Sequence, residues 1–76
     1  MPEIKIVTEV AGRVCALSAE PGASVGDGDE IAFVEAMKME IPLLADEAGE
    51  VIEVRCAKGS AVTAGQTVVV VRSRAA

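Results

Sequence analysis

The sequence predicts an all-β domain, and three observations carry that prediction. Valine- and isoleucine-rich runs alternate with glycines at short, regular intervals, and no stretch keeps a helical period. Two apolar runs, Ile31-Ala32-Phe33-Val34 and Ile41-Pro42-Leu43-Leu44, are joined by so few residues that they form a tight hairpin. The chain also repeats itself. A shift of 37 places Gly12 on Gly49, Val14 on Val51, Gly22 on Gly59, Val25 on Val62, Gly28 on Gly65 and Val34 on Val71.

The elements follow in order. Glu3–Val7 is a first strand, with Ile4 and Ile6 on one face, and Gly12–Leu17 is a second. Glu20-Pro21-Gly22-Ala23 is a turn, because Pro21 fixes φ and Gly22 takes positive φ without steric cost. Gly26-Asp27-Gly28-Asp29 turns again almost at once, so any strand at Val25 is very short. Residues 30–34 are apolar after Glu30, the pattern of a strand covered on both faces. Met39–Leu44 returns from the hairpin, and Pro42 confines part of it to an edge or a bulge. Asp46-Glu47-Ala48-Gly49 turns the chain into a strand at 50–55. Lys58-Gly59-Ser60 and Ala64-Gly65-Gln66 are further turns, and a strand at 67–71 closes the fold.

The repeat runs in unbroken register. Glu3, Ile4 and Ala11 recur as Glu40, Ile41 and Ala48, while Leu17 on Val54 and Ile31 on Val68 keep apolar character. Turn glycines and core valines are what a repeated backbone must retain, because they set dihedrals and packing. The chain is therefore one domain, 1–76, built of halves at about 1–37 and 38–76. Shifting Lys38 by 37 lands on Met1 or Ala75. A pseudo-two-fold axis would thus set the chain ends side by side, at the end opposite Lys38.

Composition removes several function classes. Seventy-six residues with 51% apolar side chains suffice for a small core and exclude disorder. Phe33 is the one aromatic residue, so there is no platform for stacking bases. A net charge of −5 opposes binding to nucleic acid; it suits a basic docking surface on a protein partner, or simple solvation. Histidine is absent, and Cys15 and Cys56 lack the spacing of a zinc site, so no metal is expected. Glu3 and Glu9 interrupt any signal-peptide core, and no apolar run approaches membrane-spanning length. A cytoplasmic protein away from membranes, with reduced buried thiols, is the expectation. No nucleophile–base pair is evident, and Gly26-Asp27-Gly28 is an acidic turn rather than a phosphate cradle.

One turn stands apart. Two-residue hairpin turns favour Asn-Gly or Asp-Gly, because both central residues need positive φ. Here the turn falls on Met37-Lys38 within Glu35-Ala36-Met37-Lys38-Met39-Glu40, so it is expected to be strained. Strain at an exposed position is a mark of a group presented for use. The plain alternative is a solvated lysine on a turn.

Glu-Ala-Met-Lys-Met-Glu resembles the biotin attachment motif of biotinyl domains, the carrier modules of biotin-dependent carboxylases. With the strands and turn glycines included, the resemblance covers nearly the whole chain. It implies a flattened β-barrel or sandwich of two four-stranded antiparallel sheets with quasi-two-fold symmetry and a lysine on a protruding hairpin. Lys38 matches the lysine that receives covalent biotin. Met37 and Met39 offer adaptable contacts to a biotin protein ligase, or pack the hairpin. Glu35 and Glu40 offer pairing with basic ligase residues, or solvated charge, and Ala36 leaves room for close approach. The related lipoyl domains usually carry Asp-Lys-Ala in the turn, so this one leans towards biotin. Two departures occur. Glu9-Val10-Ala11-Gly12 stands where many members have Pro-x-x-Gly, and no thumb insertion is present.

The resemblance implies a carrier and not a catalyst. Biotin on Lys38 would shuttle carbon dioxide between a biotin carboxylase and a carboxyltransferase, with tethering raising its effective concentration at both. Acetyl-CoA, propionyl-CoA, pyruvate, urea and decarboxylase systems use similar carriers; an acyl-CoA carboxylase, such as acetyl-CoA carboxylase, is favoured. Met1 and the short tail favour a free-standing subunit. The alternatives are a lipoyl carrier of 2-oxoacid dehydrogenase complexes and a small β interaction domain with Lys38 unmodified.

Overall fold

Alternating apolar and polar residues, interrupted by glycine at matched places, form eight strands in the computed structural model, which describes residues 3–73. They are β1 (Glu3–Val7), β2 (Gly12–Leu17), β3 (Ser24–Val25), β4 (Glu30–Ala36), β5 (Met39–Leu44), β6 (Gly49–Val54), β7 (Ala61–Val62) and β8 (Thr67–Ser73). Two four-stranded antiparallel sheets result, in the orders β1-β8-β6-β3 and β5-β4-β2-β7. Pro42 lies on β5, an edge strand, where a missing N–H costs no ladder bond.

The repeat seen in the sequence is repeated in the pairing. Val34↔Ile41 between β4 and β5 is matched by Val71↔Ile4 between β8 and β1. Val14↔Val34 is matched by Val51↔Val71, and Gly12↔Val62 by Gly49↔Val25. Loop hydrogen bonds obey the same shift. The Gly22 N–H donates to the Val51 carbonyl and the Gly59 N–H to the Val14 carbonyl, both at 2.7 Å. Gly22 and Gly59 take φ of 90° and 92°, which an L-residue reaches only with strain. Glu3 and Arg72 are paired neighbours; Met1 and Ala75, whose adjacency the repeat predicts, lie outside the described residues.

Valine fills the core. Val14, Val34, Val51, Val68 and Val69 have no exposed surface, with Ile6, Ile31, Leu43 and Val71 around them. The apolar run of β4 has a different cause from the two-sided cover expected. The β4–β5 register shifts between Glu30 and Ala32, so Ile31 is an extra residue in the ladder. That bulge lets Ile31, Ala32 and Val34 all join the core cluster, while Phe33 stays half-buried outside it. The matching shift between Ile6 and Val7 of β1 leaves Val68 as the extra residue on β8.

Gly12 and Gly49 serve close approach and not a turn. A Cβ on Gly12 would strike the Glu35 carbonyl oxygen of the neighbouring strand, and one on Gly49 the Arg72 carbonyl oxygen. Both thiols are free, but only Cys56 is buried as expected; Cys15 is half-buried on β2. Among the described residues no helix is long and apolar enough to cross a membrane, and no group of acidic, Cys or His side chains is arranged to hold a metal.

Candidate functional site

The β4–β5 ladder closes at Ala36↔Met39, which leaves two residues to reverse the chain. Met37 and Lys38 do so at φ of 52° and 67°, the positive values a two-residue hairpin turn demands. The left-handed region costs an L-residue roughly 1–2 kcal/mol, so the strain expected from Met37-Lys38 is present. It is held by what lies behind it. Val34, fully buried, pairs with Val14 on one side and Ile41 on the other, and Gly12 brings β2 hard against β4 at Glu35.

This packing holds the turn outward. Lys38, Glu35 and Glu40 are exposed, Met37 is 94% and Met39 65% exposed, and Ala36 is half-buried. Two methionines this open to solvent leave an apolar collar on either side of the amine. Among the described residues the Lys38 ammonium has no hydrogen-bond or ion-pair partner. Two pairs behind the tip, Glu35 lies between Arg13 of β2 and Glu40 of β5 in the ladder. Arg13 has no local signal in the sequence, because its place beside Glu35 depends on the register of β2 against β4.

Two surface depressions among the described residues lie elsewhere. A groove of about 290 Å³ runs between the edge strands β1 and β5, lined by Lys5, Val7, Pro42 and Leu44 among others, with Glu9 and Asp46. A second, of about 240 Å³, lies over Leu17 and Phe33. Lys38 lines neither. The arrangement does not enclose a small molecule at the amine; it projects a primary amine where another protein can reach it. A group held by an amide to that amine fits these residues, since nothing around Lys38 would have to move.

The family described as “Biotin-requiring enzyme” matches residues 1–71. The chain belongs to this family. A biotin/lipoyl attachment protein of Bacillus subtilis is 39% identical over 57 residues, which are 75% of this chain and 78% of that protein. A biotinylated protein TB7.3 homolog of Mycobacterium leprae is 36% identical over 63 residues, 83% of this chain and 89% of that protein. The human mitochondrial propionyl-CoA carboxylase alpha chain is 41% identical over 58 residues, 76% of this chain but 8% of that subunit. Among solved structures, the urea carboxylase of Kluyveromyces lactis superposes with a TM-score of 0.87 at 30% identity, over 95% of this chain and 6% of that enzyme. A single-chain, multi-domain long-chain acyl-CoA carboxylase gives 0.89 at 27%, over 97% of this chain and 7% of that one.

The protein is a biotinyl domain, homologous to the carrier domains of carboxylases, and biotin is its covalent cofactor. It is a carrier component and not itself a catalyst. The expected architecture of two four-stranded antiparallel sheets is the one observed.

Proposed function

We propose that Lys38 is the residue on which this domain carries biotin. The observation behind this reading is one amine, without a partner among the described residues, on a strained two-residue turn between two paired strands. A biotin protein ligase activates the biotin carboxyl at the expense of ATP. The deprotonated Lys38 Nζ attacks the activated carbonyl, the activating group leaves, and the amide formed no longer carries the lysine's charge. Met37 and Met39 give the ligase an apolar grip, Glu35 and Glu40 meet its basic side chains, and half-buried Ala36 leaves room for its backbone. When bound, biotin supplies the chemistry of carboxyl-group carriage. The chain's own part is position: the hairpin aims the arm, while the flexible methylene stem of Lys38 lets it reach two sites in turn.

Those sites belong to a biotin carboxylase and a carboxyltransferase, and the acceptor is an acyl-CoA. This reading follows from relatives that include a propionyl-CoA carboxylase subunit and a long-chain acyl-CoA carboxylase. The cytoplasm is the compartment in which the free thiols and the charge of −5 are most at home.

Intact mass after co-expression with a biotin ligase and biotin tests the attachment. One biotin per chain, absent from Lys38→Ala, is the expected result. An unmodified chain beside an active ligase would leave Lys38 a surface lysine, and a lipoyl group in its place would assign the domain to dehydrogenase complexes.

A further inference from the structure

Met37 and Lys38 are the link between two halves that are otherwise interlocked. In one sheet, β8 and β6 of the second half lie between β1 and β3 of the first. In the other, β4 and β2 of the first half lie between β5 and β7 of the second. Neither half has a sheet of its own. The hinge joining them keeps both its residues at positive φ, 52° and 67°, where glycine or asparagine sits most easily.

The register at the hinge carries the next step. Val34↔Ile41, Glu35↔Glu40 and Ala36↔Met39 approach one another by one residue from each side. The next pair in that series is Met37 with Lys38, which a chain cannot make with itself while it turns there. Two chains can make it.

We infer that this fold accepts a second copy of itself by opening at Met37–Lys38 and exchanging halves. In the exchanged dimer β4 and β5 run on as one strand, with Met37 of one copy opposite Lys38 of the other. The pairings between halves, β1–β8, β3–β6, β4–β5 and β2–β7, are kept but now join the two copies, while β2–β4 and β6–β8 stay within one copy. Both hinge residues return to the extended region, and the ladder gains the pairs that the turn had withheld. Association entropy opposes exchange, so the monomer holds at low concentration and the dimer forms where chains fold together at high concentration. Short hinges under strain favour this route. Interconversion requires the interlocked halves to separate, which is nearly complete unfolding, so each form persists once made.

The consequence for Lys38 rests on the attachment reading given above. In the exchanged dimer the amine stands on a continuous strand instead of a turn. A ligase that grips the hairpin then finds no substrate, and exchange and attachment exclude each other.

The test is refolding from guanidinium in reducing buffer at about 10 μM and about 1 mM, with mass read by light scattering after gel filtration. A dimer that grows with refolding concentration and survives dilution for hours is expected. The double variant Met37→Asn, Lys38→Gly, which supplies the preferred turn pair, lowers the dimer fraction by more than about tenfold. A chain lacking residues 37 and 38 folds only as the dimer. Monomer at every concentration, a dimer undiminished in the double variant, or one that dissociates within seconds of dilution would overturn the inference. Separated fractions are then given to a biotin ligase. Modified monomer beside unmodified dimer supports the exclusion, and a dimer modified as fast as the monomer overturns it. If neither is modified, the attachment reading and the exclusion fall together, while exchange itself is judged by mass alone.

Discussion

Glu35 on β4 and Glu40 on β5 face each other directly across the ladder, two pairs behind the Met37–Lys38 turn. Their counterparts in the other half are Arg72 and Glu3, a pair of opposite sign at the same place. The scaffold thus tolerates an attractive pair at this position, yet the hairpin carries a repulsive one. Like charges directly opposite destabilise a sheet by roughly 0.2–1 kcal/mol. Glu40→Gln is expected to raise the urea midpoint by a gain in that range and, at the same time, to slow attachment by the ligase, most at low salt. A stabilised variant modified at the parent rate would leave the two acids without a docking role.

Gly12 and Gly22 predict opposite responses to the same substitutions. Gly12 is hemmed in by the Glu35 carbonyl, so the obstacle is space; Gly22 stands in the open at φ 90°, so the obstacle is the dihedral. Gly12→Ala must push β2 away from β4 and should cost about 1–3 kcal/mol, with Gly12→Asn worse still. At Gly22, alanine should cost about 1–2 kcal/mol, and asparagine less, because it tolerates the left-handed region. Urea unfolding of the four variants checks this, and equal rankings at both sites would contradict it.

Much of this fold is legible along the chain because local chemistry decides it. Pro21, Gly22, Gly28, Gly59 and Gly65 mark turns, and alternation marks β1 and β2. The short β7 at Ala61–Val62 is visible only through its counterpart around Val25, since two residues carry no period. What the chain conceals is what passes between strands. The bulge at Ile31 reads as an apolar run, because the missing partner belongs to β5. Gly12 reads as the first residue of a strand, but the reason for a glycine there is a carbonyl 23 positions later. At the site, Lys38 and its strained turn follow from residue types alone, whereas Arg13 beside Glu35 requires the register.

The internal symmetry gives a paired stability test. Val14 and Val51 occupy equivalent places, each with no exposed surface, and each is paired to an equally buried valine, Val34 or Val71. Truncating either to alanine removes the same two methyl groups from the same surroundings, at a cost of about 2–3 kcal/mol. The two losses should agree within about 0.5 kcal/mol by urea unfolding. A large difference would mean that the halves match in backbone but not in packing.

Met37 sets stability against use. Its side chain is 94% exposed, so it contributes almost nothing to packing, while its backbone is held at φ 52°. Met37→Ala should therefore change stability by less than about 0.5 kcal/mol. Met37→Asn, which eases the turn, should raise stability by about 1 kcal/mol. Both variants remove the apolar collar beside Lys38, and both are expected to lower the rate of biotin attachment at fixed ligase concentration. Asparagine separates the two explanations for a methionine here. If the turn geometry alone mattered, Met37→Asn would be modified at least as fast as the parent; if the ligase grips the thioether, the more stable protein is the poorer substrate.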